Sequence, residues 1–232
     1  MLRRSVRVCL LVLATPALGQ DPLPGSVRGA EKVAAIVQRV SQAQAGTETL
    51  QARFEQKRTS RLLAEPSHSR GRFYFNAPDQ VRWEYEPPQQ MSVLLTGGVA
   101  LTYRPAEKRA ERIEVGRRQR KVFRFLGAAE PLEELKHYFA FTLRDRGDDS
   151  NYLLTLDPAS HLVKKRVKRV EVEIDRVRFL PVAVVYTEAD GDSTEYVFRD
   201  IVRNEPLPAG LFQLDLPADV QVVEVKLKSR DE

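Results

Sequence analysis

The sequence predicts a mainly β protein in which one antiparallel sheet is covered by two amphipathic helices. About ten short segments alternate apolar and polar residues, as strands with one buried face do. Turn signals rich in Gly, Pro, Asn and Asp separate many of these segments at hairpin spacing. Two other segments space their apolar residues at helical intervals, so each has an apolar stripe that needs a surface to pack against. The chain of 232 residues has the size of one all-β domain.

Residues 1–19 have the pattern of a secretory signal peptide. Arginines precede an apolar run at residues 8–14, and small residues stand at positions 17 and 19. We therefore expect cleavage after Gly19, a flexible leader at residues 20–29 and a single domain at residues 30–232. An uncleaved anchor is the less favoured alternative, because the apolar run is shorter than the about 20 residues that span a membrane.

The composition narrows the classes of partner. The chain has 37 Lys and Arg, 32 Asp and Glu and a formal net charge of +5. Loss of the three arginines in residues 1–19 would leave a charge of +2, which is low for a general nucleic-acid binder. The single cysteine, Cys9, lies inside the expected signal peptide, so we expect neither a disulfide nor thiol chemistry in the mature chain.

Basic residues are concentrated between residues 104 and 121. We expect part of this stretch to face a membrane partner or lipid headgroups; that part contains Arg117, Arg118, Arg120 and Lys121. A second basic group occupies residues 164–169. The alternative for such a patch is a strand edge that its charges keep solvated.

The first helix is predicted at residues 30–45, where Val33, Ile36, Val37 and Val40 form one stripe. Period-two alternation then predicts the strands. These lie at residues 49–60, 71–76, 80–86, 91–96, 99–104, 141–145, 152–158, 167–176, 179–189, 194–204 and 211–217, the last leading into 220–225. Residues 111–115 are an optional further strand.

A second, short helix is predicted to begin with Pro131 in its first turn. Leu132, Leu135, Tyr138 and Phe139 follow at a spacing that suits one apolar side. Because this helix interrupts the run of strands, it is a candidate lid over the sheet.

Aromatic side chains alternate along residues 71–105. Phe73 and Phe75 share one face of their strand, and Trp83 and Tyr85 share one face of the next. This pattern is typical of a filled core between two sheets. It is also typical of a curved sheet that encloses a ligand cavity, and the two helical stripes favour that second interpretation.

Motifs for catalysis or metal binding are absent from the sequence. It has no nucleophile elbow, no glycine-rich phosphate loop and no paired-histidine metal motif. His68, His137 and His161 lie far apart and support no metal site. We therefore expect a protein that is not an enzyme and has no cofactor, with a hydrolase of dispersed active site as the least favoured alternative.

The order of several short motifs resembles the LolA family, the periplasmic carriers of outer-membrane lipoproteins. The motifs follow an amphipathic first helix and extend over nearly all of the expected mature chain. They are Phe-x-Gln at residues 54–56, Gly-x-Phe at 71–73, a Pro-to-Trp segment at 78–83, Pro and Gln at 88–90, an apolar-x-Tyr-x-Pro strand at 101–105, and terminal Leu-Phe and Leu-Pro pairs at 211–212 and 216–217.

The resemblance implies an incomplete antiparallel β-barrel of about ten to eleven strands, closed by amphipathic helices as a lid. It also implies a monomeric periplasmic carrier that holds acyl chains in a hydrophobic cavity and moves them from an inner-membrane donor complex to an outer-membrane acceptor. A lipid- or lipoprotein-sensing module on the same scaffold is the alternative. The side chains that we expect to line the cavity are Phe73, Phe75, Trp83, Tyr85, Leu101, Tyr103, Val37, Leu135 and Phe139.

Two places depart from the family pattern: the turn at residues 96–98 lacks the usual Asp-Gly, and one arginine is missing. In typical members an arginine directly before the proline of the Pro-to-Trp segment holds the lid closed through hydrogen bonds. Here that position is Ala77, and Arg72 and Arg82 are the candidate replacements.

Overall fold

The computed structural model describes residue 23 and residues 28–62, 64–114, 132–144 and 150–225. The expected signal peptide and the basic residues Arg117, Arg118, Arg120 and Lys121 lie outside the described residues. Within the described ranges, no helix combines the length and the apolar character that crossing a membrane would require.

In the described part of the chain, twelve strands form one sheet, which confirms the predicted mainly β class. The first six are β1 (Thr49–Thr59), β2 (Ser67–Asn76), β3 (Gln80–Tyr85), β4 (Met91–Thr96), β5 (Val99–Arg104) and β6 (Arg109–Glu114). The others are β7 (Phe139–Arg144), β8 (Tyr152–Pro158), β9 (Val167–Ile174), β10 (Pro181–Glu188), β11 (Ser193–Arg203) and β12 (Gln221–Val225).

The sheet has the order β12-β6-β5-β4-β3-β2-β1-β11-β10-β9-β8-β7. Two antiparallel meanders therefore meet where β1 pairs with β11, although these strands are far apart in the chain. Among the strands that the structure describes, only β12 pairs in parallel, and its partner is β6. Because no pairing within the described ranges joins β12 to β7, the sheet is an incomplete barrel, as expected.

The helices differ in part from the prediction. Helix α1 (Gly29–Ala45) confirms the first helix. Within the described residues, helix α2 covers Leu132–Leu135, and Phe139 already begins strand β7. The predicted extension of α2 to Phe139 is wrong because the backbone there pairs with β8. Two elements were not predicted: helix α3 (His161–Lys164) and the short 3-10 helix Pro105–Glu107.

The prediction of a strand at residues 211–217 is also wrong. This segment contains turns and lies against the sheet face opposite to α1. There Arg82 donates through Nη1 to the carbonyl oxygens of Leu211 at 2.6 Å and Gln213 at 3.0 Å. The segment connects β11, in the middle of the sheet, with β12 at its edge, and so crosses the outer face.

Candidate functional site

Six aromatic side chains meet on the face of the sheet that packs against α1, which we call the inner face. We call this group the aromatic floor. Its members come from strands β1, β2, β3 and β11, and they are Phe54, Phe73, Trp83, Tyr85, Tyr196 and Phe198.

Strand register brings these rings together. Phe73 lies directly opposite Trp83, and Phe54 lies directly opposite Phe198. The Phe54 ring contacts Trp83 edge-on at 4.7 Å between centroids and Tyr85 at 4.9 Å. Such edge-to-face pairs stabilise the fold by more than the burial of their apolar surface alone.

Gly71 makes room for this packing. A Cβ atom added to Gly71 would lie 1.9 Å from the carbonyl oxygen of Glu84 and 2.9 Å from the Phe54 ring. Only glycine therefore allows β2 and β3 to pair while Phe54 lies over them.

Two hydroxyl groups lie within the otherwise apolar floor. Burial raises the pKa of Tyr85 far above its ordinary value, and the neighbouring Tyr196 adds to this shift. Burial also raises the pKa of Tyr196, although a hydrogen bond with Tyr85 opposes the rise. Both hydroxyl groups therefore stay protonated at neutral pH.

Helices α1 and α2 cover the inner face with aliphatic side chains. Ile36, Val37 and Val40 of α1 are fully buried. Leu132 and Leu135 of α2 belong to the same apolar cluster as the aromatic floor. The helices thus contact the face through dispersion and hydrophobic burial, which do not require a fixed orientation.

Polar contacts hold the C-terminal end of α1. Asn204 donates through Nδ2 to the carbonyl oxygen of Gly46 and accepts from the Glu48 N–H, both at 2.8 Å. The Arg203 Nη1 donates to the carbonyl oxygen of Ala43 at 3.2 Å. Asn204 has a φ of 61°, a conformation that asparagine tolerates better than most residues. We call these contacts the α1 clamp.

We predict that Asn204→Ala lowers the free energy of unfolding by about 2 kcal/mol, because it removes two hydrogen bonds and strains a left-handed backbone. Asn204→Gly removes the same hydrogen bonds and relieves the strain, so it should lower the free energy by about 1 kcal/mol. Urea unfolding measures both. Equal losses in the two variants would contradict the role of the backbone conformation.

Contacts between cations and aromatic rings also hold α1. The Tyr152 and Phe179 rings stack at 6.2 Å between centroids. Lys32 of α1 lies over the Tyr152 ring at 5.8 Å, and Arg39 lies over Phe179 at 5.7 Å. Arg176 approaches Tyr152 at 4.2 Å. Both rings are buried, so these cations pack over rings that belong to the core.

Most of the residues predicted to line a cavity lie together. The apolar cluster contains Val37, Phe73, Phe75, Trp83 and Leu135 as buried members. Two further residues are partly buried against it; they are Tyr85 and Phe139, the latter from β7 and not from a helix.

Leu101 and Tyr103 require a correction. Ala100 lies opposite Leu95 and belongs to the inner face, so its neighbour Leu101 points to the outer face, as does Tyr103. Leu101 pairs with Leu94 there. The prediction that Leu101 and Tyr103 share the face of Trp83 is therefore wrong.

Arg72 and Arg82 do not replace the family arginine either. Both alternate with inner-face residues, Phe73 and Trp83, and so lie on the outer face. Arg82 holds the segment at residues 211–213 there. Arg203, by contrast, bonds to the carbonyl oxygen of Ala43 in α1.

Sequence reasoning missed three members of the floor, namely Phe54, Tyr196 and Phe198. Phe54 was visible as part of the Phe-x-Gln motif but was not assigned to the cavity. Tyr196 and Phe198 alternate in β11, which is a usable signal. Their place beside β1 depends on a pairing across the whole domain, which local pattern does not reveal.

The described ranges hold no group of three or more His, Cys, Asp and Glu side chains that would suit a metal ion. The candidate site is the aromatic floor, an apolar surface that carries the hydroxyl groups of Tyr85 and Tyr196 and is covered by helices α1 and α2.

The family described as "Outer membrane lipoprotein carrier protein LolA" matches residues 45–215, which include most of the sheet. The chain belongs to the LolA family. Members of this family are described as carriers. A protein of Methylococcus capsulatus named "Outer-membrane lipoprotein carrier protein" is 26% identical over 179 residues, covering 77% of this chain and 82% of that protein.

Solved structures share the fold of this LolA-family chain. A conserved protein from Thermus thermophilus, titled uncharacterized, aligns with a TM-score of 0.52 at 14% identity, covering 84% of this chain and 99% of its own. A chain in the MucA/MucB complex of Pseudomonas aeruginosa aligns with a TM-score of 0.51 at 14% identity, covering 84% of this chain and 64% of its own. At this level of identity the likeness concerns the fold.

Proposed function

We propose that this LolA-family protein binds the acyl chains of lipoproteins on its inner face and carries them through the periplasm from the inner to the outer membrane. The observation that carries the proposal is the continuous apolar inner face, covered by helices that dock through aliphatic side chains. The family description and the name of the Methylococcus capsulatus relative support the same cargo.

The proposed mechanism exchanges helix side chains for acyl chains. Ile36, Val37 and Val40 shield the aromatic floor in the cargo-free state. When α1 moves away, acyl methylenes take their place, and each buried methylene contributes about 0.8 kcal/mol. Because one set of apolar contacts replaces another, loading and release are close to balanced, and a better acceptor suffices to remove the cargo.

The residues proposed to contact the cargo are those on the inner face and on the helices that cover it. The predicted residues Phe73, Phe75, Trp83, Tyr85, Val37, Leu135 and Phe139 remain in this proposal. Phe54, Tyr196 and Phe198 join them, because they pack against Trp83.

Native mass spectrometry and lipid extraction on protein purified from its own periplasm test the proposal. We expect a co-purified acylated protein that passes to acceptor membranes on incubation. Retention of the load in the presence of acceptor membranes would indicate a sensing module and contradict the shuttle. An empty protein that also fails to bind a hydrophobic fluorescent dye would contradict acyl-chain binding altogether.

We further propose that Arg117, Arg118, Arg120 and Lys121 face the donor membrane. We predict that changing all four to Glu slows loading from donor membranes about tenfold at low salt, because like charges then repel anionic lipid and acidic partners. The matched control reverses two exposed charges of the second basic group, Lys164→Glu and Lys165→Glu, and should have little effect. Unchanged loading in the first variant would contradict the patch assignment.

A further inference from the structure

Gln56 is a polar residue on the apolar inner face. It follows Phe54 by two positions in β1, so both side chains point the same way. The register places Gln56 directly opposite Tyr196 on one side and Ser69 on the other. Its side-chain carbonyl oxygen, Oε1, is buried, and no donor within the described ranges bonds to it.

A buried carbonyl oxygen without a donor is destabilising, and such groups are rare in folded proteins. Apolar side chains of similar size would pack in the same place without this penalty. The presence of an amide there indicates a partner that supplies the missing donor when it binds.

Tyr196 lies directly opposite Gln56 in the ladder between β1 and β11. Its ring contacts Trp83 at 5.2 Å between centroids. An acyl chain whose head reaches Gln56 would therefore lie directly against the aromatic floor.

We propose that Gln56 forms a polar subsite that binds the amide group of an N-acyl chain. In this arrangement the Gln56 Oε1 accepts a hydrogen bond from the amide N–H. The acyl chain itself extends over the aromatic floor. This inference rests on the proposed function, because it concerns the head of a chain that the inner face binds.

The subsite distinguishes an amide from an ester. An ester offers the same carbonyl oxygen but no N–H, so binding an ester leaves the Gln56 Oε1 buried and unpaired. Sites with a buried hydrogen-bonding group reject ligands that lack the matching group. We therefore expect a preference of about tenfold for the amide, the ratio that corresponds to about 1.4 kcal/mol.

Two probes that differ at one atom test this preference. Palmitoyl ethanolamide has an amide, and the palmitate monoester of ethylene glycol has an ester at the same position. Each is titrated against the mature protein, with displacement of a bound hydrophobic dye as the measurement. We expect the amide to compete at about one tenth of the ester concentration.

Variants assign the preference to the subsite. Gln56→Leu should reduce the amide-to-ester ratio to about one, whereas Tyr196→Phe, which removes the neighbouring hydroxyl but keeps the Gln56 acceptor, should preserve the ratio. The matched control is Gln51→Leu on the opposite face of the same strand, which should keep the wild-type ratio. Thermal unfolding midpoints verify that each variant is folded.

The outcomes separate this inference from the proposed function. Equal affinities for amide and ester in the wild type would overturn the subsite while leaving acyl-chain binding intact. A preference that survives Gln56→Leu would also overturn it. Failure of both probes to bind would overturn the proposed function itself.

Discussion

Gly71→Ala should lower the free energy of unfolding by about 4 kcal/mol or more, a large share of a typical domain stability. The added Cβ would lie 1.9 Å from the Glu84 carbonyl oxygen and 2.9 Å from the Phe54 ring. A side-chain clash relaxes by rotation, but the Glu84 oxygen is backbone. Strands β2 and β3 must therefore separate, which breaks ladder hydrogen bonds below the aromatic floor.

The thermal unfolding midpoint measures this effect, and a fall of about 10 °C or loss of soluble protein is expected. Gly46→Ala is the matched control. Gly46 has a negative φ of −83°, and a Cβ there would meet its nearest neighbour at 3.5 Å, an ordinary contact. A midpoint for Gly71→Ala as high as that of the control would contradict the close approach of β2 and β3.

Phe54→Ala should lower the free energy of unfolding by about 4 kcal/mol, within the range for buried phenylalanine. The side chain is 1% exposed and contacts Trp83 and Tyr85 edge-on. Its removal leaves a cavity at the centre of the floor, and that cavity cannot fill without moving β3. Loss of the two aromatic contacts adds to the penalty.

Urea unfolding measures the loss, and Phe54→Leu serves as the comparison because it keeps most of the volume. We expect Phe54→Leu to lose less than half as much as Phe54→Ala. Equal losses would indicate that the aromatic contacts, and not the filled volume, hold the floor together. A loss below about 1 kcal/mol in Phe54→Ala would contradict its central position in the core.

The alternation of apolar residues predicts the buried face correctly where strands pair with their neighbours in the chain. Phe73, Phe75 and Trp83 were assigned to one buried face because β2 and β3 form a hairpin whose alternation is unbroken. Helix α1 was found from its stripe, and Val37 is fully buried as that stripe requires. In these cases local periodicity and burial follow from the same geometry.

The alternation of residues did not predict the correct face where a chain segment covers the outer face of the sheet. Leu101 and Tyr103 are larger than Ala100 and suggested the inner face. They face outward, on the side where Arg82 binds the segment at residues 211–213. Size alone cannot decide the face when both faces carry apolar residues.

The local sequence pattern also does not predict which strands pair when they are far apart in the chain. Tyr196 and Phe198 reach the floor only because β11 pairs with β1. The polar site was equally hidden: Gln56 belongs to a motif visible in the sequence, but the absence of a donor for its Oε1 within the described ranges emerges only from the structure.

The central claim is that acyl chains lie on the aromatic floor, and Trp83 provides the most direct test. It is the only tryptophan in the sequence, and it lies in the middle of the floor at 8% exposure. Titration with a lipid whose acyl chain carries bromine, which quenches tryptophan fluorescence on contact, reports where the chain lies. We predict saturable quenching that the same lipid without bromine does not cause. Stoichiometric binding of the brominated lipid without quenching of Trp83 would contradict the account.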